Sequence, residues 1–320
     1  MKTISFLSPT SLHLFESDRD EFYLKYLSDN ARPDQVQSDA MAVGSAFDAY
    51  VKAALYQDLF GPSVEYSVNT LLESQVDEEC IEFGRRVGAY CFERYEACGC
   101  YKELLSELKQ SEEPPRFEFK LTGKVGNVPL VGKPDCWYKK GVQVTLDWKV
   151  EGFCSKHPQS PKKFYKSCRD TWTEGKPTRG GGEPKPHKDY VEIEHFGHKI
   201  GSHWLEDVNS RWADQIAIYS WLLGMEVGDE DAITCIDQLA CKPGDPMPLI
   251  RVAQHRCRIS AKYQKELLCR LEACWWAINN NHIFTDVEKD DSLARCELLD
   301  MPTGERDEFW DMVNERQYRG

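Results

Sequence analysis

The sequence lacks any apolar run of about 18 residues, the shortest that ordinarily spans a bilayer as a helix. It also lacks the long apolar core and the small-residue cleavage site of a signal peptide, because residues 1–7 are followed at once by Ser8, Pro9 and charged residues. No internal repeat is visible along the 320 residues. These absences predict a cytoplasmic protein, in a cell or in an infected host, with no membrane partner.

Positive charge is scarce over the chain as a whole. The sequence has 40 Lys and Arg against 53 Asp and Glu, and its formal net charge is -13. A protein that binds nucleic acid needs local positive charge to meet the phosphates. Residues 149–188 carry such a local excess of Lys and Arg, so this segment is the predicted basic patch of an otherwise acidic protein.

The sequence has no cysteine before Cys80, although it contains 13 cysteines in all. The late cysteines lack the compact spacing of cluster ligands, so an iron–sulfur cluster is not expected. A structural Zn²⁺ is an alternative, because several potential ligands fall in one stretch, but their spacing matches no standard zinc finger. The simpler interpretation is reduced cysteines, many of them small core residues. The potential zinc ligands are Cys154, His157, Cys168, His187, His195, His198 and His203.

The most informative residues lie in the alternating, β-branched stretch 141–150, which predicts a strand. Side chains two residues apart in a strand share a face, so Asp147 and Lys149 are expected to point the same way. Lys139-Lys140-Gly141 predicts a hairpin turn that brings Asp135 beside Asp147. Two carboxylates and an ammonium at this spacing are typical of a site that binds Mg²⁺ and activates water.

Two helical motifs accompany this strand. Gly44 and Asp48 open an apolar-periodic stretch that predicts an amphipathic helix. Gln215 and Tyr219 are four residues apart in a second predicted helix and therefore share one helix face. Taken alone, each motif is compatible with an ordinary half-buried helix.

The order of these motifs, Gly-x-x-x-Asp, Gly-x-Pro-Asp, Asp-x-Lys and Gln-x-x-x-Tyr, resembles the PD-(D/E)XK nuclease superfamily and its RecB-like branch, which includes λ-type exonucleases. The helical start predicted from Ser8 and Pro9 is also similar to that of RecB-type domains. The resemblance implies an α/β fold with a restriction-endonuclease-like core, in which a central mixed β-sheet is flanked by helices. It also implies a helical N-terminal region and, in this chain, a long basic insertion.

The resemblance further implies roles for individual residues. Asp48, Asp135 and Asp147 would bind Mg²⁺ or Mn²⁺ together with the backbone carbonyl of Trp148. Asp48 replaces the histidine of many family members, which makes the site harder and favours these ions. Lys149 would act on the attacking water, while Gln215 and Tyr219 would steady the site. DNA would be the partner, and the candidate contacts to it are Lys133, Lys162, Lys163, Lys166 and Arg211.

We predict one nuclease domain over residues 1–320. It comprises a helical part (1–112), a catalytic β-meander (113–150), a basic insertion (151–203) and a part with the Gln215 helix, further strands and C-terminal helices (204–320). The insertion interleaves aromatic residues with lysines, which suits frayed or single-stranded DNA, although a solvated loop is equally compatible. Trp275 and Trp276 are expected in the core.

The predicted function is that of a metal-dependent DNA nuclease, and specifically an exonuclease of phage or mobile-element recombination or replication. Two alternatives remain open at this stage. One is a structure-specific endonuclease or nickase, and the other is a non-catalytic DNA-binding or inhibitory protein on a nuclease scaffold. A homo-oligomer, or a partner from phage recombination or replication, is compatible with the sequence but is not predicted by it.

Overall fold

The computed structural model describes residues 2–30, 36–151, 166–168, 191–240, 250–284, 295–297, 299–301 and 305. Its helices are α1 (Pro9–Ser17), α2 (Arg19–Tyr26), α3 (Asp39–Phe60), α4 (Val68–Gln75), α5 (Ile81–Ala97), α6 (Cys100–Leu108), α7 (Leu205–Val208), α8 (Ser210–Leu222) and α9 (Ala261–Asn279). Its strands are β1 (Arg116–Phe117), β2 (Leu121–Val125), β3 (Val128–Gly132), β4 (Cys136–Lys140), β5 (Val142–Glu151), β6 (Lys166–Cys168), β7 (Glu192–His195), β8 (His198–Gly201), β9 (Ile233–Ala240) and β10 (Ile250–Cys257). Within these ranges, no helix combines the length and the apolar character that a bilayer span requires.

A mixed sheet forms the centre of the molecule, with strand order β1-β4-β5-β9-β10-β6. β5 and β9 run parallel, whereas the other neighbouring pairs are antiparallel. A parallel pair needs a crossover connection, and here that connection carries α8. β2–β3 and β7–β8 form separate hairpins. A mixed sheet with helices on both faces confirms the predicted fold class.

The two faces of the sheet pack against different helices. On one face, Leu146 and Trp148 of β5 join the core formed with α3, α5 and α6. On the other face, Ile236 of β9 joins the core formed with α1, α8 and α9. Because side chains alternate along a strand, Asp147 and Lys149 face α8 while their neighbours face α3 and α5. The sheet therefore presents its polar pair to the helix that carries Gln215.

The helix boundaries follow local capping chemistry. Ser8 caps α1 through a capping box, and Pro9 occupies the first turn, as predicted. Asn209 caps α8 by accepting hydrogen bonds from the backbone of Arg211 and Trp212. Gly99 adopts φ +82 between α5 and α6, and this left-handed conformation accounts for the break between the two helices.

Three local predictions were wrong. The helix that carries Asp48 begins at Asp39 rather than Gly44, because Ser38 supplies the cap. Within the predicted meander, the sequence indicates one strand over residues 128–138, but the structure has two, since β3 ends at Gly132 and β4 begins at Cys136. Trp276 is 56 % exposed and stacks on His282, so it is not a core residue.

One described cysteine departs from the simpler interpretation of reduced cysteines, because Cys98 is disulfide-bonded. Cys136 and Cys235, by contrast, are buried thiols outside any disulfide. These thiols occupy core positions next to the central sheet. They behave as small apolar residues.

Candidate active site

Gln215 of α8 joins the two polar side chains of β5. Its Nε2 donates to Asp147 Oδ1 at 3.1 Å and to the hydroxyl of Tyr219 at 2.9 Å. Its Oε1 accepts from Lys149 Nζ at 3.0 Å. Lys149 also contacts Asp147 Oδ2. All hydrogen-bonding groups of the Gln215 side chain are thus used to fix Asp147, Lys149 and Tyr219 relative to one another.

Asp214, the neighbour of Gln215, anchors α8 to the rest of its core. Its carboxylate accepts from His13 at 2.9 Å, from Tyr263 at 2.7 Å and from Arg270 at 2.8 Å. Burial alone would raise the pKa of Asp214, but these hydrogen bonds hold it below its usual range. The sequence motifs gave no indication of this residue, because its partners lie on α1 and α9.

Asp135 lies in the short segment between β3 and β4. Its Oδ2 accepts the backbone N–H of Trp148 at 3.1 Å. In an extended strand the N–H and the C=O of one residue point to the same edge. The carbonyl of Trp148 therefore faces the edge of β5 where Asp135 lies.

Gly132 is the point where β3 passes closest to α8. A Cβ atom at this position would lie 2.6 Å from Cδ1 of Tyr219, closer than real Cβ contacts come. Only a glycine lets the Tyr219 ring lie against the backbone that leads to Asp135. The close packing of Tyr219 thus explains why the first residue of the Gly-x-Pro-Asp motif is glycine in this chain.

Asp48 contacts Lys52, which lies one turn further along α3. Through Lys52 it joins Glu118 and Asp135, and these three carboxylates with Asp147, Lys52 and Lys149 are called the carboxylate cluster below. Lys52 Nζ is 2.5 Å from Asp48 Oδ2, 3.1 Å from Glu118 Oε1 and 3.6 Å from Asp135 Oδ1. Because one ammonium contacts both, the carboxyl groups of Asp48 and Asp135 lie within about 6 Å of each other. The Lys52 side chain is completely buried.

Lys52 and Glu118 were missed by the sequence reasoning. Glu118 adopts φ +48, a conformation that is rare for a residue with a side chain, and this turns its carboxylate toward Lys52. Its carboxylate also accepts hydrogen bonds from Lys133 Nζ at 3.1 Å and from Gln75 Nε2 at 3.0 Å. The one available signal was a lysine four residues after Asp48 in an otherwise apolar stretch of helix.

Burial and mutual repulsion set the charge of these carboxyl groups. Burial raises the pKa of Asp48 to about 7 although Lys52 opposes the shift. Burial and the charge of Asp135 raise the pKa of Asp147 to about 8. Burial also tends to raise the pKa of Asp135, but the charges of Lys52 and Lys149 outweigh this effect and hold that pKa below its usual range. Without a further cation, the cluster therefore keeps protons on some of its acids near neutral pH.

Two carboxylate oxygens of the cluster accept no hydrogen bond from the described residues and could therefore coordinate an ion. Within the described part of the chain, Asp48 Oδ1 is buried without a hydrogen-bond partner. Asp147 Oδ2 contacts Lys149 but accepts no hydrogen bond of normal geometry. The described residues contain no ready group of three His, Cys, Asp or Glu arranged around one ion. The donors are all oxygens, which is the chemistry that a hard divalent ion prefers.

The predicted DNA contacts are only partly within the described ranges. Lys133 lies beside the cluster with 56 % of its side chain exposed and pairs with Glu118. Arg211 is exposed in the first turn of α8. For Lys166 the backbone forms part of β6, which pairs with β10 at the end of the sheet. Lys162 and Lys163 lie outside the described residues.

The potential zinc ligands do not assemble within the described ranges. His195 lies 3.8 Å from Asp231, and the ring of His198 is hydrogen-bonded to the carbonyl of Lys140 at 2.7 Å. His203 is on a different segment, before α7. Cys154, His157 and His187 lie outside the described residues, as does the side chain of Cys168.

Comparison with known proteins gives little further information. No family model matches the chain. No curated protein matches it either. Among solved structures, the chain is similar to one described as a "putative exonuclease" from Eubacterium rectale, with 14 % sequence identity and a TM-score of 0.41 over 91 % of this chain and 88 % of that one. A similarity at this level assigns neither a family nor an activity to the chain.

Proposed function

We propose that the protein is a metal-dependent DNA nuclease that hydrolyses phosphodiester bonds, and that it acts as an exonuclease. The observation that carries the proposal is the contact between Asp147, Lys149 and Gln215, with Asp135 bound to the backbone of Trp148 alongside. The parts of this cluster come from β5, α8 and the segment after β3. A solvent-facing ion pair would not need such convergence.

The chemistry follows from the groups present. Asp48, Asp135, Asp147 and the carbonyl of Trp148 are the groups that would hold Mg²⁺ or Mn²⁺. Such an ion supplies a polarised water and neutralises charge on the phosphate. The ammonium of Lys149 would orient that water and stabilise the negative charge that develops as the water loses its proton, while Gln215 fixes this ammonium through the bond at 3.0 Å. Asp147, Gln215 and Tyr219 keep the lysine from swinging into solvent.

The acidic net charge is compatible with this function. A formal charge of -13 is spread over the chain, whereas an incoming phosphate responds to the groups nearest to it. Among the described residues, Lys149 and Lys133 lie beside the cluster and are partly exposed, with 24 % and 56 % of their side chains accessible. These two lysines would meet the scissile and neighbouring phosphates.

The test is digestion of end-labelled linear duplex DNA and of closed circular DNA with Mg²⁺, with Mn²⁺ or with chelator. The exonuclease predicts progressive shortening of linear DNA that needs the ion and leaves circles intact. Nicked circles would instead show an endonuclease. Binding without cleavage of either DNA would contradict the proposal and favour a non-catalytic protein. Asp135→Asn serves as the inactive control.

A further inference from the structure

Lys52 places a permanent positive charge inside the carboxylate cluster. Its ammonium contacts Asp48 at 2.5 Å, Glu118 at 3.1 Å and Asp135 at 3.6 Å, three carboxylates from three different segments. It also lies 5.9 Å from the centre of the Trp148 ring. These three carboxylates do not form a ready metal site by themselves, but the oxygen-rich surroundings that they give the ammonium are of the kind that a divalent ion also favours.

The surroundings of Lys52 hold its charge in place. Asp48, Glu118 and Asp135 all contact the ammonium of Lys52, so three carboxylates stabilise its positive charge. Its side chain has no exposed surface through which to leave. Moving the ammonium away would leave buried carboxylates uncompensated, which is costly.

The balance of charge also favours a single ion. With all carboxylates ionised, Asp48, Glu118, Asp135 and Asp147 face the ammonium groups of Lys52 and Lys149, which leaves a formal charge of about -2. One divalent ion cancels this charge, whereas two would leave the site positive before any phosphate arrives. Counting the half-exposed Lys133 strengthens the preference for one.

We propose that Lys52 is a built-in counter-ion that takes the place of a second metal, so that the protein binds one divalent ion on the side of Asp147 and Trp148. Asp48 then serves both cations, with Oδ2 on Lys52 and the buried Oδ1 turned to the ion. Glu118 serves Lys52 and Lys133 and is not a metal ligand. Lys52 is a positioning residue, since it acts through the carboxylates that it contacts.

This inference rests on the proposed function only for the presence of an ion, so its test counts ions and does not measure activity. Isothermal titration with Mn²⁺ gives the number bound per chain, and electron paramagnetic resonance distinguishes a lone Mn²⁺ from a coupled pair. The wild-type protein should bind one ion with an uncoupled spectrum. Lys52→Met, which keeps the length of the side chain without its charge, should bind two that are magnetically coupled. Lys262→Met, at a surface position that is 87 % exposed, is the matched control and should bind one.

Two ions in the wild-type protein, none, or a count that stays at one in Lys52→Met would overturn the inference. If Lys52→Met does not fold, the inference is tested by the number of ions that the wild-type protein and Glu118→Gln bind. Glu118→Gln should still bind one ion, whereas Asp147→Asn should lose it, and loss of the ion in Glu118→Gln would make Glu118 a ligand. Two ions together with cleavage of linear DNA would reject the inference and leave the proposed function standing. One bound ion without cleavage of linear DNA would reject the proposed function and leave the inference about Lys52 standing.

Discussion

At the scale of single residues, Gln215 explains why the candidate site has one arrangement. Its amide donates to Asp147 and Tyr219 and accepts from Lys149, so turning it over would break the contacts with Asp147 and Lys149. The Tyr219 ring is in turn held against the backbone at Gly132. The position of Lys149 thus depends on a glycine that carries no functional group.

We therefore expect Gly132→Ala to reduce the rate of DNA cleavage about 100-fold, because the new Cβ would displace Tyr219 and with it Gln215. Gly123→Ala is the control, since its Cβ would meet only the end of the flexible Leu222 side chain, at 3.0 Å. The measurement is single-turnover cleavage of labelled duplex at saturating Mg²⁺. Equal rates for the two variants would show that the contact with Tyr219 is unimportant.

The spacing of residues was sufficient to predict which of them approach each other within a motif. Strand alternation placed Asp147 beside Lys149, and helical spacing placed Gln215 beside Tyr219. Lys52 and Glu118 could not be found in this way. Their contact joins α3 to the segment after β1 and depends on the positive φ of Glu118, which no local pattern in the sequence encodes.

At the scale of elements, the packing of α3 against α5 determines where Asp48 and Lys52 lie. A Cβ at Gly88 would lie 2.6 Å from Ala46 Cβ and 2.9 Å from the backbone nitrogen of Phe47, so the two helices approach closely only because residue 88 is glycine. Gly44 on α3 has no atom within 4 Å of an added Cβ. The two glycines thus offer a matched comparison.

Gly88→Ala should destabilise the protein by about 1–3 kcal/mol, because the helices must separate. Gly44→Ala should instead raise stability by up to about 1 kcal/mol through helix propensity. Urea unfolding followed by circular dichroism measures both. A Gly88→Ala variant as stable as Gly44→Ala would mean that the helices can separate without cost.

Strand and helix identities followed from periodicity, whereas two boundaries did not. The strand predicted through residue 138 is interrupted because Pro134 cannot donate to a ladder, and that break frees Asp135 to reach Trp148. The start of α3 was placed late, because Ser38 and the first turn lie before the visible apolar period. In both places the deviation positions a residue of the site.

At the scale of the whole molecule, the response of stability to pH depends on a buried histidine. His255 of β10 is hydrogen-bonded to Gln238 at 3.2 Å and lies against Trp212. Burial, together with His203 and Arg256, lowers its pKa to about 3. The unfolded chain binds a proton at His255 near pH 6.5 and the folded chain does not, so stability is lost as the pH falls below that value.

We expect the stability of His255→Gln relative to wild type to rise by about 2 kcal/mol between pH 7 and pH 5. The difference between the two proteins is the quantity to measure, because metal-free Asp48 and Asp147, with raised pKa values, act in the opposite direction over this range. His282→Gln, at a half-buried position stacked on Trp276, is the control. Parallel pH dependence in wild type and His255→Gln would contradict the burial argument.

The measurement that tests the central claim most directly is single-turnover hydrolysis of end-labelled duplex DNA with Mg²⁺ by Lys149→Met and by Lys262→Met. If Lys149 acts on the attacking water beside Asp135 and Asp147, its replacement should slow cleavage about 1,000-fold or more while the fold and DNA binding persist. The surface variant should cleave at the wild-type rate. Wild-type cleavage by Lys149→Met would contradict the assignment of this cluster as the active site.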